Sequence, residues 1–378
     1  MAIPVQVQRI LADAVASGVG SAAALAWQHH GDRDVIALGT TALPPWPNVP
    51  VTTATPFDLA SLTKPMVTLT LLVPELARGR LALGDRLDAH LPAARNTPRG
   101  AATIGQLLSH TSGAPAWLDF FALTRGLALA DRPLAVQRLV LATPNAADPQ
   151  LHAVYSDLGY MALGWLLEHV LDRPLDVLFR ERIAAPLGLH AGFRRISHPE
   201  TAALAAVATE IWPPRGHPNR PLQGVVHDDN CAALDGVAGH AGLFGAIEDV
   251  AIWADCWLAA VTETAKATAG PLNLPTALCR KLVAEPGCAG TSWRHGWDTP
   301  SQPGSSAGEL APTDAFGHLG FTGTSVWLSP SQAAFAVLLT NRVYPTRDAV
   351  AGIRALRPRI HDALWASMPR EQSVPPMR

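Results

Sequence analysis

The chain is poor in cysteine, tyrosine and charge. Its 378 residues include four cysteines, Cys231, Cys256, Cys279 and Cys288, with no Cys-x-x-Cys pair and no metal-type spacing. They are expected to be small core or surface thiols. Charged residues make up 16% of the chain, the net charge is -2, and no Lys/Arg run or basic stripe occurs. Nucleic-acid binding is therefore excluded as an expectation. No uncharged apolar run reaches the roughly 18 residues of a membrane-spanning helix. Met1-Ala2-Ile3-Pro4-Val5-Gln6 lacks a basic stretch leading into an apolar one. No secretory signal is expected, and the cytoplasm is the default compartment. Internal repeats and low-complexity segments are absent too.

What remains is 48% hydrophobic, enough for one large domain or two lobes around a sizeable core. Val5 to Ser17 predicts an amphipathic helix. Ala22–Trp27 and Asp34–Leu38, around His29-His30-Gly31-Asp32, predict a hairpin with its histidines in a solvated turn. From about Asp85 to Ala260 strand signals fade. Helices are expected at 103–108, 132–141, 156–171, 174–184 and 247–260. Pro and Gly from Trp212 to Pro221 predict a long loop. Gly236, Gly239, Gly242 and Gly245 recur every third residue. That is not a dinucleotide fingerprint, but such density lets a backbone pass close to another group. Short strands return at 316–320, 324–328 and 333–339, then a helix over 348–365. The expectation is one α+β domain over 5–365 in two lobes. One lobe is an antiparallel sheet flanked by helices, from about 1–84 and 261–368. The other is an all-helical insert, about 85–260, and 369–378 is a polar tail.

Asp58-Leu59-Ala60-Ser61-Leu62-Thr63-Lys64-Pro65 leads into an apolar stretch, Met66 to Leu76, that reads as a buried helix. Pro65 fits only in a first turn, which places Ser61 at the helix N-terminus with Lys64 on the same face. A serine beside an amine, where N–H groups and the dipole favour negative charge, is a candidate activated nucleophile. The plainer alternative is a capping serine and a snorkelling lysine. Tyr155-Ser156-Asp157 and Gly317-His318-Leu319-Gly320-Phe321 supply candidate partners. The first is a phenol ahead of a helix. The second is a strand whose backbone N–H can meet an oxyanion. His227-Asp228-Asp229 does not read as a metal site, because adjacent side chains do not converge. His110 reads as a residue closing a turn. Trp165, Trp253 and Trp257 read as core, and Trp297 as a residue near the cleft.

These motifs resemble the serine β-lactamase and penicillin-binding-protein superfamily, with its Ser-x-x-Lys, Tyr-x-Asn and Lys/His-Thr-Gly elements. The likeness is to its class C-like branch, with family VIII esterases and D-amino-acid-peptide hydrolases. Leu107–Gly113, Gly239–Phe244 and Gly296–Pro300 add to it. The resemblance implies Ser61 as acylated nucleophile, with Lys64 and Tyr155 sharing proton transfer. It implies an oxyanion hole from the N–H groups of Ser61 and Phe321, and no metal or cofactor. Asp157, His318, Gly320 and Trp297 would meet the substrate. Beside a lysine cation the phenol is expected to ionise more easily. Asp157 replaces the usual Asn, Leu319 the Thr, and His318 the Lys. Those departures favour a small ester or a D-amino-acid or muropeptide-like amide over a β-lactam. The added carboxylate is expected to hold Lys64 as a cation. The alternatives are a catalytically weak binding or sensor protein, or a true β-lactamase or DD-carboxypeptidase.

Overall fold

The structure is a computed structural model that describes residues 2–198, 206–215, 220–262 and 270–368. The expected polar tail, 369–378, and 216–219 of the Pro/Gly loop lie outside these. The hairpin forms, β1 (Ala22–His29) against β2 (Asp32–Gly39), but only His30 lies in the exposed turn; His29 ends β1 and is buried, paired with Asp32 and Ala334 across the sheet. Two-residue β3 (Phe57–Asp58), β4 (Gly192–Phe193), β5 (Ala208–Ile211), β6 (Pro221–Gln223) and β7 (Leu243–Gly245) follow. β8 (Phe316–Leu319), β9 (Ser325–Ser329) and β10 (Ala334–Thr340) come last. The main sheet is antiparallel, in the order β2-β1-β10-β9-β8. Leu25 of β1 faces Leu338 of β10, so the two ends of the chain meet at its centre.

Every residue of β1 is buried, which is why Ala22 to Trp27 is a continuous apolar run and not an alternation; Gln28 and His29 end the strand. One face, Ala23, Leu25 and Trp27, packs on the terminal helices Val5–Ala16 and Val350–Trp365. The other face, Ala22, Ala24 and Ala26, belongs to the larger core that includes the Ile247–Thr262 helix. That helix was expected to close the insert, but it lies against β1, β9 and β10. The insert is not all-helical either. β3, β7 and β4 form a small antiparallel sheet and β5 pairs β6. Strands of two to four residues are too short to show a two-residue period, so their pattern was invisible in the sequence.

The nucleophile segment is more varied than one α-helix. A 3-10 turn, Ala60–Leu62, leads into a π-helical stretch, Lys64–Leu69, and only Thr70–Ala77 is α-helical. Pro65 does occupy the first turn. Trp253 and Trp257 both donate their indole N–H to Thr70 Oγ1, at 3.1 and 3.0 Å. The nucleophile segment is thereby fixed on the sheet lobe.

Candidate active site

Ser61 sits in the 3-10 turn, where side chains three apart eclipse, and this brings Lys64 beside it. Ala60, just before it, has a φ of 48°. Such a conformation costs a non-glycine residue about 1–2 kcal/mol and has to be held by its surroundings. The Ala60 N–H donates to Asp58 Oδ1 at 2.8 Å, and Thr63 Oγ1 donates to the Ala60 carbonyl at 2.6 Å. Asp58 Oδ2 also takes the His227 N–H at 2.6 Å. Burial pushes the Asp58 carboxyl up from its usual range, against these hydrogen bonds. Sequence reasoning overlooked Asp58. Its signal was an acid three residues before the serine, in a stretch otherwise apolar.

β8, with His318, and the turn after it, with Gly320, close the other side. Thr322 Oγ1 donates to the Asp58 carbonyl at 2.8 Å, and Thr324 Oγ1 to that of Leu59 at 3.1 Å. A Cβ on Gly320 would stand 2.0 Å from Thr324 Oγ1 and 2.8 Å from the Leu59 carbonyl. Glycine is therefore required there by contact with the nucleophile turn. Gly320→Val is expected to lower the denaturation midpoint and to cut ester turnover, as overpacking costs about 1–3 kcal/mol. Unchanged turnover in a folded variant contradicts this packing role.

From the helical side come Tyr155 and Asp157, at the head of the Asp157–Leu171 helix. His110 brackets Tyr155. Its carbonyl accepts the Val154 N–H at 2.9 Å, and its Nδ1 accepts the Ser156 N–H at 3.1 Å. The expected turn-closing role of His110 thus extends to placing the phenol. Behind Tyr155 lie the rings of His110, Trp293 and His318, with centroids 4.5, 5.1 and 6.0 Å away. Trp297 requires correction. It is fully buried, 5.7 Å from Trp253 and 5.1 Å from Trp257, and belongs to the core. Trp293 is the tryptophan near Tyr155. Two tryptophans four apart in one loop gave no basis for choosing between them.

Lys64 is fully buried and donates three hydrogen bonds: to Ser61 Oγ at 3.0 Å, Asp157 Oδ1 at 2.7 Å and the His240 carbonyl at 3.1 Å. An ammonium has three N–H groups, and all are used. Burial works against the charge, but Asp157 and Tyr155 outweigh it and raise the pKa of Lys64. The glycine-rich stretch supplies the third acceptor by close approach. A Cβ on Gly239 would stand 2.2 Å from the Tyr160 carbonyl, and Thr68 Oγ1 donates to the Gly239 carbonyl at 2.7 Å.

The Tyr155 phenol faces both Lys64 and Ser61, and its shift runs opposite to expectation. Burial raises its pKa, Asp157 adds to the rise, and Lys64 recovers only part. The phenol keeps its proton at neutral pH. Burial, with the Lys64 charge, lowers His318 to about 3. Its Nδ1 lies 2.8 Å from the Leu319 carbonyl, so Nδ1 carries the proton and Nε2 is a buried acceptor with no partner among the described residues. His110 and His361 are also buried and pushed down, His361 to about 4. All three stay neutral when folded and take up protons when unfolded below about pH 6.5. The contribution of these histidines is therefore flat above that pH, and stability falls as pH drops below it, toward about 3 for His318 and about 4 for His361, by up to about 1.4 kcal/mol per pH unit for each histidine. Denaturation at pH 7 and pH 5 checks the sign, and His318→Gln is expected to reduce the slope.

Ser61, Tyr155 and Asp157 open onto a cavity of about 380 Å³, with Trp117, His227, Asp228, Asp229, Phe321 and Arg347 on its walls. Phe321, whose backbone N–H is the expected oxyanion donor, lines the cavity with its ring half exposed and 5.6 Å from that of His227. Arg347 is held by Glu210 Oε2 at 2.6 Å and Asp229 at 3.4 Å. Asp228 is 3.0 Å from His240 Nε2. Burial opposes its charge, yet His240 and the Cys231 N–H hold it well below the usual carboxylate range. His227-Asp228-Asp229 is thus a cavity wall. Among the described residues no cluster of acids, histidines and cysteines has the arrangement of a metal site. Nor is any described helix long and apolar enough to cross a membrane.

The Beta-lactamase family model matches residues 7–358. The chain belongs to that family. It is 30% identical over 322 residues to an Escherichia coli K12 protein named "Putative D-alanyl-D-alanine carboxypeptidase", covering 79% of this chain and 72% of the relative. Identity to an N-acetylmuramyl-L-alanine amidase of Bacillus subtilis is 28%, over 77% of this chain and 68% of that one. Among solved structures, a β-lactamase/D-alanine carboxypeptidase from Pseudomonas syringae superposes with a TM-score of 0.72 at 16% identity, covering 97% of this chain and 99% of the other. EstCE1, described as a hydrolase with promiscuous acyltransferase activity, gives 0.71 at 22%, covering 95% and 97%. The structures establish the shared fold, and the family makes the chain a serine hydrolase.

Proposed function

We propose that this family member hydrolyses small esters, or D-amino-acid or muropeptide-like amides, through an acyl-enzyme on Ser61. The observation that carries the reading is the buried Lys64 ammonium 3.0 Å from Ser61 Oγ at the floor of the cavity. A cation there lowers the cost of the serine alkoxide. Tyr155, protonated and facing Ser61, is placed to hydrogen-bond the reacting oxygens. The N–H groups of Ser61 and Phe321 would hold the oxyanion, one from the nucleophile turn and one from just beyond β8. The carboxypeptidase and amidase names of the relatives support acyl transfer from peptide-like substrates.

The walls argue against a substrate anchored by its carboxylate. His318 is neutral, and Arg347 is already tied to Glu210 and Asp229. Leu319 offers no hydroxyl and packs against the sheet core. Neutral esters are thus preferred over β-lactams and peptides ending in a carboxylate. One observation favours the weakly catalytic alternative: neither the ammonium nor the phenol is ready to accept the serine proton. The test is p-nitrophenyl acetate turnover and fluorophosphonate labelling between about pH 6 and 9, where general bases in hydrolases work. Turnover with label on Ser61, and slower hydrolysis of a chromogenic cephalosporin, is the expected result. No turnover and no label overturn it, and a faster cephalosporin reaction overturns the substrate preference.

A further inference from the structure

If Ser61 is acylated, its proton has to go somewhere, and the two groups nearest Oγ are both occupied. Lys64 has three acceptors for its three hydrogens and so presents no lone pair. Tyr155 is buried and keeps its phenolic proton. The carboxylate of Asp157, 2.7 Å from Lys64 Nζ, is the one carboxylate among the described residues in hydrogen-bond contact with this pair. We infer that Asp157 is the terminal proton acceptor of a Ser61–Lys64–Asp157 relay. It acts through Lys64 as a positioning residue. The inference rests on the Ser61 acyl-enzyme reading and adds to it the group that makes the serine reactive.

The relay balances in three steps. An Nζ–H bond breaks and its proton passes to Asp157 Oδ1, leaving a neutral amine and a neutral carboxylic acid. Rotation about Cε–Nζ turns the new lone pair from Asp157 toward Ser61. The Ser61 O–H bond then breaks as Oγ bonds to the acyl carbon, and the proton joins Nζ. Lys64 is again an ammonium and Asp157 is protonated. When the tetrahedral species collapses, the leaving alkoxide or amine takes a proton from Lys64, which is refilled from Asp157.

The first step is reasonable because of where the pair sits. The Lys64 side chain is wholly buried and that of Asp157 is 16% exposed, on the cavity side. A substrate in the cavity covers that remaining exposure. Taking an ion pair out of water removes much of its advantage over the neutral pair. That narrows the gap between the ionised and the neutral pair. An Asn cannot play this part, because its carbonyl can accept a hydrogen bond from Lys64 but cannot take a proton. The other titratable groups around the pair are Tyr155, Tyr160, His110, His318, Asp228 and His240. The two tyrosines are buried and raised, and His110 and His318 are pushed down; none of these four offers a carboxylate beside Lys64. Asp228 is paired with His240.

Two models of Asp157 predict opposite results for Asp157→Asn. If the carboxylate only holds Lys64 as a cation, its removal frees the amine at lower pH, and acylation at pH 7 speeds up. If it receives the proton, kcat/KM for a p-nitrophenyl ester falls by about 10²-fold or more, and the remaining rate climbs with pH as Lys64 has to lose its proton to solvent. An unchanged or faster variant overturns the relay. The second measurement uses the wild-type protein. A boronic acid that bonds Ser61 Oγ leaves the serine proton in the site. Its infrared difference spectrum is expected to show the carbonyl stretch of a newly protonated carboxylic acid, lost in Asp157→Asn. An adduct without that band overturns the relay even if the variant fails to fold. Failure of the acyl-enzyme reading shows separately, as wild-type protein that takes no label on Ser61.

Discussion

Ser61→Ala is expected to reduce p-nitrophenyl ester turnover by at least about 10³-fold, because removing a nucleophile abolishes the covalent route and leaves only binding and oxyanion contacts. The fold should be indifferent to the change. The Ser61 hydroxyl accepts a hydrogen bond from Lys64, whose other two acceptors remain. Lost turnover with an unchanged denaturation midpoint is the expected pair of results. A variant that keeps more than a small part of the wild-type rate would place the nucleophile elsewhere.

Lys64→Met should damage both activity and stability. It removes the only side-chain cation in hydrogen-bond contact with Asp157 among the described residues, and leaves that mostly buried carboxylate without its partner. Breaking a buried pair from one side costs about 3–5 kcal/mol, since the remaining charge is uncompensated. The lower end applies, because Asp157 retains some exposure. Lys64→Met combined with Asp157→Asn should recover much of the lost stability and none of the activity. If single and double variants unfold at the same denaturant concentration, the pair is not coupled as described. The sign with pH also follows. The pKa of Lys64 is raised above its ordinary 10.5, so its stabilising contribution is complete below that value and is lost as pH rises through the raised one. Around neutral pH that contribution is complete and does not vary with pH.

Much of the site was legible in the sequence because its parts are short and local. Ser61 and Lys64 read as neighbours from their spacing, and the chain brings them into contact. Tyr155 and the strand of His318 and Gly320 were assigned through family resemblance, and the fold brings Tyr155 and Gly320 to the same serine. Asp157, expected to hold Lys64 as a cation, accepts one of its three hydrogen bonds. The direction of the Tyr155 shift was misread, since the sequence shows a nearby lysine but not the burial and the carboxylate that outweigh it. Trp297 was misplaced for a related reason: which of two loop tryptophans enters the core depends on packing among helices distant in sequence. The sheet at the chain ends was readable from its length and apolar content. β3, β4 and β7 were not, as two or three residues carry no period.

The Asp58 clamp illustrates a further limit. A buried acid before an apolar helix looks like a liability in sequence. Its two oxygens take the Ala60 and His227 N–H groups and hold the strained turn ahead of Ser61. Such a role depends on chain segments about 170 residues apart.

The central claim is that Ser61 carries the acyl group. The direct measurement is acid quenching of the protein during turnover of a slow p-nitrophenyl ester, followed by proteolysis and mass mapping. The account predicts the acyl mass on the peptide containing Ser61, absent from Ser61→Ala. Steady turnover with no acyl mass on that peptide, or with the mass on another residue, would contradict it.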